Sequence, residues 1–404
     1  MNAPTYHGER TAHLDTAGTG RMPDEVRAVL ADCTALDDRF GAAALEERLG
    51  AVLHTGIHER LGALLGVPAG DTVLAAGAAE AFEAFLSGLA LGPDDRIWTT
   101  PHEGVAHLAA LRALQGRTRC RLEVVPLRAD GDLDLDWMRA HLDEDVALVS
   151  VVHVSSACGT VNPVEEIGRL LAAHRARYAV DASQSVGRLP VDAARVGCHL
   201  LTADGWRFLR GPEGVGFAYV APGAGDGAPR PPAPAAVAAL YTALAHHTAA
   251  TSLPYEDLLP RLRAVVERTP GMELLASGRE QAGILAFRHA EIPAAAIRRG
   301  LARRGVVLSK TVAHENPLHP AGQDGVPALR ASVHHDNTAE DIDRFGQALA
   351  EVLREQRNAA APAEGVLAAA GATACAAPSP HRTPSPHRAR PARRRGHLTL
   401  HRAN

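Results

Sequence analysis

Of the 42 lysine and arginine side chains in the 404-residue chain, one alone, Lys310, is a lysine. A lysine amine can condense with a carbonyl carbon to form a Schiff base. A guanidinium stays protonated and is a poor nucleophile, so it does not replace one. Any mechanism that runs through an amine therefore has one candidate. The five cysteines, Cys33, Cys120, Cys158, Cys198 and Cys375, are scattered and odd in number. They match neither a disulfide framework nor a CxxC metal motif and read as isolated thiols in a reducing compartment. Among the 21 histidines, His54 and His58 stand at i and i+4 on a predicted helix, with Glu59 following. Two such rings can share a metal ion on one helix face, but the spacing supplies no third ligand. No metal is expected.

The elements that must position such groups follow from the apolar pattern. Hydrophobic residues make up 46% and charged residues 22% of the chain, and the net charge is −4. That balance fits a globular protein and argues against a nucleic-acid partner. No apolar run is long enough to span a membrane, and MNAPTYHGERTAHLD lacks the apolar segment of a signal peptide. No membrane partner is expected, and the expected location is cytoplasmic. Apolar runs such as DTVLAA, DRIWTT, RLEVVPL, VALVSVVHV, RYAVDAS, HLLTADG and GVGFAYV read as strands. The first five alternate with helical patterns, so the expected class is α/β with a mainly parallel sheet. The Gly/Pro-rich stretch APGAGDGAPRPPAP breaks this pattern. Helices and further strands (ILAFRH, VVLS, ALRASV) then form a smaller α/β segment. The expected division is a large domain over 12–235, a small domain over 236–356 and a disordered Ala/Pro/Arg tail over 357–404. From residue 358 that tail carries seven arginines against one acid, Glu364.

Seven segments stand in the order and spacing of a known family: LDTAGTGRMP, LAAGAAEAF, EGVAHL, HVSSACGTVNPVEEI, VDASQSVGRLPVD, DGWRFLRGPEGVGFAYV and ALRASVHHDNTAEDID. Together they resemble the class V aminotransferase family of pyridoxal-phosphate enzymes. That family includes cysteine desulfurases, isopenicillin N epimerase-like proteins, kynureninases and hercynylcysteine sulfoxide lyases. The resemblance implies the fold-type I pyridoxal-phosphate-enzyme fold, with a seven-stranded, mainly parallel sheet, a smaller C-terminal α/β domain and assembly as a homodimer. It implies a lysine that holds pyridoxal phosphate as a Schiff base. It also implies an acid at the pyridine nitrogen, an aromatic ring over the cofactor, a helix start for the phosphate and an arginine for the substrate carboxylate.

The resemblance places Asp181 at the pyridine-nitrogen acid, Gln184 at the residue reaching the ring oxygen, and Arg330 at the carboxylate clamp pointing into a cleft. Elsewhere the cofactor positions have changed type. The family's Ser-Gly-His-Lys reads Asp204-Gly205-Trp206-Arg207, which puts Arg207 at the lysine and an acid at a phosphate ligand. The Gly-Ala-Thr-Glu helix start reads Gly77-Ala78-Ala79-Glu80 and lacks its hydroxyl. The stacking ring becomes Gly104, and an asparagine becomes Ser156. His102 and His107 flank the lost ring, and either could serve as a general base.

The expected protein is a class V aminotransferase-like chain without normal pyridoxal-phosphate chemistry: no Schiff base is expected, although pyridoxal phosphate is the family cofactor. It would be a lyase, cyclase or hydro-lyase of specialised metabolism acting on a small carboxylate or amino-acid-derived substrate. Arg207 and Arg330 would bind the anion, with Ser156 and Trp206 beside it, and Asp181, Asp204 or a histidine would move protons. Two local alternatives stay open: Arg207 either binds the anion or is closed off by Asp204 or Asp181, and Trp206 either fills the vacated volume or stacks on a ligand. The rival readings are a non-catalytic paralogue acting as scaffold or ligand sensor, and a pyridoxal-phosphate-dependent C–S lyase, desulfurase or epimerase.

Overall fold

A computed structural model describes residues 11–225, 227–247, 255–275, 278–311, 315–319 and 326–360. Cys375 and nearly all of the expected tail lie outside these residues, as does most of the segment read for a signal peptide. The chain opens with β1 (Ala12–His13), followed by α1 (Asp24–Phe40), α2 (Ala42–Ala51), a π-helical turn (Val52–Gly56) and α3 (Ile57–Leu65). The alternating region gives β2 (Thr72–Ala75), α4 (Ala78–Ser87), β3 (Arg96–Thr99), α5 (Val105–Thr118), β4 (Arg121–Val124), α6 (Leu135–His141), β5 (Val146–Val152), α7 (Val164–Leu171), β6 (Arg177–Asp181), α8 (Ala193–Val196), β7 (Leu200–Asp204) and β8 (Gly216–Val220).

These strands form one seven-stranded sheet in the order β2-β8-β7-β6-β5-β3-β4. Only β8 runs antiparallel to its neighbours, so the expected mainly parallel sheet is what the chain forms. Strand periodicity explains its two faces. Ile97, Leu148, Ala179 and Leu200 pack with Phe82, Phe85, Leu111 and Leu114 of α4 and α5. Their chain neighbours Trp98, Val149, Val180 and Leu201 pack on the opposite side with residues of α3, α7 and α9 (Pro234–His246). All seven residues of β5 are buried, as a central parallel strand covered on both faces requires.

After α9 come α10 (Tyr255–Arg268), β9 (Met272–Leu274), β10 (Ile284–His289), α11 (Ala294–Ala302), β11 (Val306–Val307), β12 (Ser309–Thr311), β13 (Ala328–Ser332) and α12 (Ala339–Ala360). Strands β12-β13-β10-β9 make an antiparallel sheet. Its apolar core includes Phe287, Leu301, Leu329, Phe345 and Leu349. Two boundaries differ from the sequence reading. Helix α12 continues to Ala360, into the segment expected to be tail. The residues from Ala12, expected in the large domain, instead pair in parallel with β11. Leu14 extends this strap: its N–H donates to Val307 O, and its carbonyl accepts from Ser332 N.

Two glycines separate packing from propensity. On α7, a Cβ at Gly168 would lie 1.8 Å from Val196 O, a backbone atom that cannot swing aside. On α5, a Cβ at Gly116 would meet nothing within 4 Å. Gly168→Ala should therefore destabilise by about 1–3 kcal/mol, while Gly116→Ala should stabilise by up to about 1 kcal/mol. Urea unfolding of the two variants checks this, and a Gly168→Ala midpoint equal to wild type would contradict the packing.

Candidate functional site

The C-terminal ends of β5, β6 and β7 and the starts of α4 and α5 surround a cavity of about 490 Å³. Ligand crevices in open α/β sheets lie outside the carboxyl ends of the strands. The structure brings together at this cavity every site residue predicted from sequence. From the large sheet and its helices come Ala78, Ala79, Gly104, Ser156, Asp181, Gln184, Asp204, Trp206 and Arg207, and from the antiparallel sheet comes Arg330.

Asp204 ends β7 with its carboxylate aimed at the start of α4. Oδ1 accepts the Ala78 N–H at 3.0 Å, and Oδ2 accepts from Arg207 Nε at 2.9 Å. A carboxylate at a helix N-terminus satisfies an otherwise unpaired backbone donor and the positive end of the helix dipole. Arg207 also donates to Ala17 O. Arg207 lines the cavity with Arg330, but its Nε is committed to Asp204, as one of the sequence alternatives had it. The start of α5 is likewise taken from within, because Val105 N donates to Glu315 O at 2.9 Å.

Asp181 sits at the end of β6. Its Oδ1 accepts from Ser183 N at 2.9 Å, and Oδ2 lies 3.8 Å from His107 Nδ1. Both residues line the cavity, and His107 Nε2 is buried without a partner. Sequence spacing gave no reason to join His107 to Asp181; a turn of helix α5 does so. Behind them lies Glu103, fully buried, accepting from Thr99 and Ser150 hydroxyls at 3.0 Å each. Burial pushes its carboxyl above the ordinary range. Gln184 donates to Ala17 O at 3.0 Å, and its Oε1 is buried without a partner.

Arg330 borders the cavity, but it is a tie as much as a free clamp. It donates to Ser309 Oγ and Ser156 O at 3.1 Å each, lies 3.7 Å from Asp15 Oδ1, and is 7% exposed. Ser156 Oγ donates to Asn316 Oδ1 at 3.2 Å. Trp206 packs over the α4 start, where a Cβ on Gly77 would meet its ring at 3.2 Å; the side chain fills that volume. Over Gly104 the space is open, with nothing within 4 Å of an added Cβ. Lys310 is not at the cavity. Ser309 pairs with Arg330 across β12 and β13, so Lys310, next along the strand, projects to the other face.

His54 lies in the π-helical turn, and His58 Nδ1 is bonded to Thr72 Oγ1 at 2.8 Å. One sequence reading needs correction: Cys158 is not an isolated thiol. It sits behind His102 with Ser155, Thr160 and His319 around its sulfur. No sequence signal pointed to this group, because its members come from distant segments.

His153, just beyond β5, is buried, and its Nδ1 has no partner. Burial lowers its pKa to about 4. The ring is neutral in the fold, whereas in the unfolded chain it takes up a proton below about pH 6.5. Its contribution is therefore complete above pH 6.5 and is lost as pH falls toward 4, by at most about 1.4 kcal/mol per pH unit. His153→Leu should flatten the fall in stability between pH 6.5 and 4. Urea midpoints across that range are the measurement, and an unchanged slope would refute the assignment.

The aminotransferase class-V family model matches residues 12–233. The chain is 30% identical over 218 residues to a probable cysteine desulfurase of Halobacterium salinarum, covering 52% of each chain. It is 32% identical over 216 residues to a cysteine desulfurase of Nostoc sp., again covering 52% of each. These alignments span about half the length of the curated relatives. Among solved structures, the cysteine desulfurase CsdA of Escherichia coli superposes with a TM-score of 0.77 at 20% identity, covering 85% of this chain and 95% of that one. The apo cysteine desulfurase of Thermococcus onnurineus NA1 gives 0.74 at 18% identity, covering 85% and 95%. At these identities the structural likeness speaks for the fold, which is that of the cysteine desulfurases. The family match spans more than half of the sequence, and the chain belongs to the class V aminotransferases.

Proposed function

We propose that the chain binds a small carboxylate or amino-acid-derived anion in this cavity without holding pyridoxal phosphate as a Schiff base. The observation that carries this reading is Asp204, seated on the α4 start and neutralised by Arg207. The residues present do not fit the cofactor as the family holds it. The cavity lining includes no lysine, and Lys310 projects from β12 to the opposite face. A phosphate brought to the α4 start meets a carboxylate that already holds the Ala78 N–H and the Arg207 guanidinium. One N–H at each helix start is already taken from within, Ala78 N by Asp204 Oδ1 and Val105 N by Glu315 O.

In this reading Arg330 holds the ligand carboxylate, and the His107–Asp181 pair carries a proton to or from it. An imidazole steadied by a carboxylate is a common general base, which favours an enzyme over a silent scaffold. The same proposal includes a homodimer, as in the family. The names of the relatives favour a second reading, a pyridoxal-phosphate-dependent C–S lyase or desulfurase. Sulfide released from cysteine in the presence of added pyridoxal phosphate would establish it over the first.

Two measurements test the first reading. Incubation with pyridoxal phosphate, borohydride reduction and digestion should give no stoichiometric pyridoxyl peptide. One containing Lys310, the single side-chain amine, would overturn it. Calorimetry on carboxylates that raise the melting temperature should show Arg330→Lys weakening binding by roughly 1.5–3 kcal/mol, the loss expected for a charged hydrogen bond. Melting curves of Arg330→Lys separate lost binding from lost packing. Equal affinity in a folded variant would make Arg330 purely structural and favour the non-catalytic paralogue.

A further inference from the structure

Behind the cavity wall, His102, Cys158 and His319 converge. One ligand atom from each lies within 4.8 Å of the other two, and all three residues are buried. They come from three separate places: the segment after β3, the turn after β5, and the 315–319 segment. His102 is 0% exposed, and its Nε2 has no hydrogen-bond partner. An orphaned buried ring nitrogen costs about 1–3 kcal/mol unless something binds it.

We infer that His102, Cys158 and His319 form a binding site for a transition-metal ion of the zinc type. Bonds of about 2.3 Å to sulfur and 2.0–2.1 Å to nitrogen at a tetrahedral angle place the two ligand atoms about 3.5 Å apart. Cys158 Sγ and His319 Nε2 are 3.5 Å apart. The remaining separations need to close by at most about 1.4 Å to reach the same geometry. One thiolate and two imidazoles are the donors that a borderline-soft ion selects over magnesium or calcium.

Burial raises the Cys158 thiol, but the hydrogen bond and charge of a protonated His319, helped by Ser155 and Thr160, bring its pKa down to about 6; an ion on His319 Nε2 displaces that proton. His102 is held neutral, its pKa lowered to about 3 by burial and then by His319. Asn162 Nδ2 lies 3.0 Å from His102 Nδ1 and donates to Val152 O. A metal on Nε2 leaves the ring proton on Nδ1. The Asn162 amide must then turn its Oδ1, which has no partner, toward that proton, giving up the bond to Val152 O. Metal ligands commonly use such an outer-shell acceptor. Three protein ligands leave one coordination position open. The ion would also fasten residues 315–319 to the large sheet, where Asn316 already donates to the His102 carbonyl. This inference is independent of what the cavity binds.

The test uses the untagged full-length chain. After equilibration with zinc and desalting, elemental analysis should find about one ion per chain, and Cys158→Ala should lower that at least tenfold with the fold intact by circular dichroism. Cobalt substitution provides a measurement that does not depend on a variant. The wild type should develop a thiolate-to-cobalt charge-transfer band and intense tetrahedral d–d bands that saturate near one equivalent. Zinc retained equally by Cys158→Ala would place the ion on other histidines and overturn the site. So would cobalt binding without a charge-transfer band, or no binding at all.

Discussion

The cavity depends on one carboxylate. Asp204 ends a central strand and caps helix α4, and its second oxygen fixes Arg207. Through Arg207 it reaches the carbonyl of Ala17, where Gln184 also donates. The Trp206 carbonyl in turn accepts from Gly20 N. The strand end, the helix start and the N-terminal strap are therefore coupled through a part-buried ion pair. Removing one partner of a fully buried pair costs about 3–5 kcal/mol because it strands a charge, and this pair follows the same rule at a smaller magnitude. Asp204 and Arg207 are thus expected to behave as a unit: a change at one has to be matched at the other.

The frame beneath that ion pair does not depend on it. The seven-stranded sheet rests on alternating apolar residues on two faces, such as Ile97 beside Trp98 and Leu200 beside Leu201. None of these touches the chemistry. Function lives in the side chains placed at the strand ends, and those can change while the layers beneath stay the same. The likeness to cysteine desulfurases fixes the frame; the acids, arginines and histidines lining this cavity determine what it can bind.

Much of this was legible in the sequence. Strand periodicity and the ordered motifs located the sheet, and the motifs also located Asp181, Gln184 and Arg330, because those residues sit at fixed offsets from strand ends. Less legible was which partner each charged group would choose. Arg207 had Asp204, Asp181 and a ligand within plausible reach, and only three-dimensional placement decides for Asp204. Arg330 read as a clamp in a cleft, but it is also bonded to Ser309 on the neighbouring strand and to the Ser156 carbonyl after β5. The π-helical turn at Val52–Gly56 is invisible to a period of 3.6. The grouping of Cys158 with His102 and His319 had no local signature, since Cys158 and His319 are 161 residues apart.

The N-terminal strap also bears on how the protein is made. Ala17 N is bonded to Ser332 Oγ, a contact between residues 315 positions apart, and β1 finds its strand partner only in β11. A ribosome delivers the first of these residues long before the last. Contacts of such high sequence separation form late and slow folding. The large sheet can assemble on the emerging chain while the strap has nothing to pair with. Until the final strand arrives, Ala17 is held from the large sheet alone, through Arg207 and Gln184, and lacks its bond to Ser332. The cavity is therefore completed late: a product truncated before β13 would carry the strands of the large sheet but neither Arg330 nor Ser332.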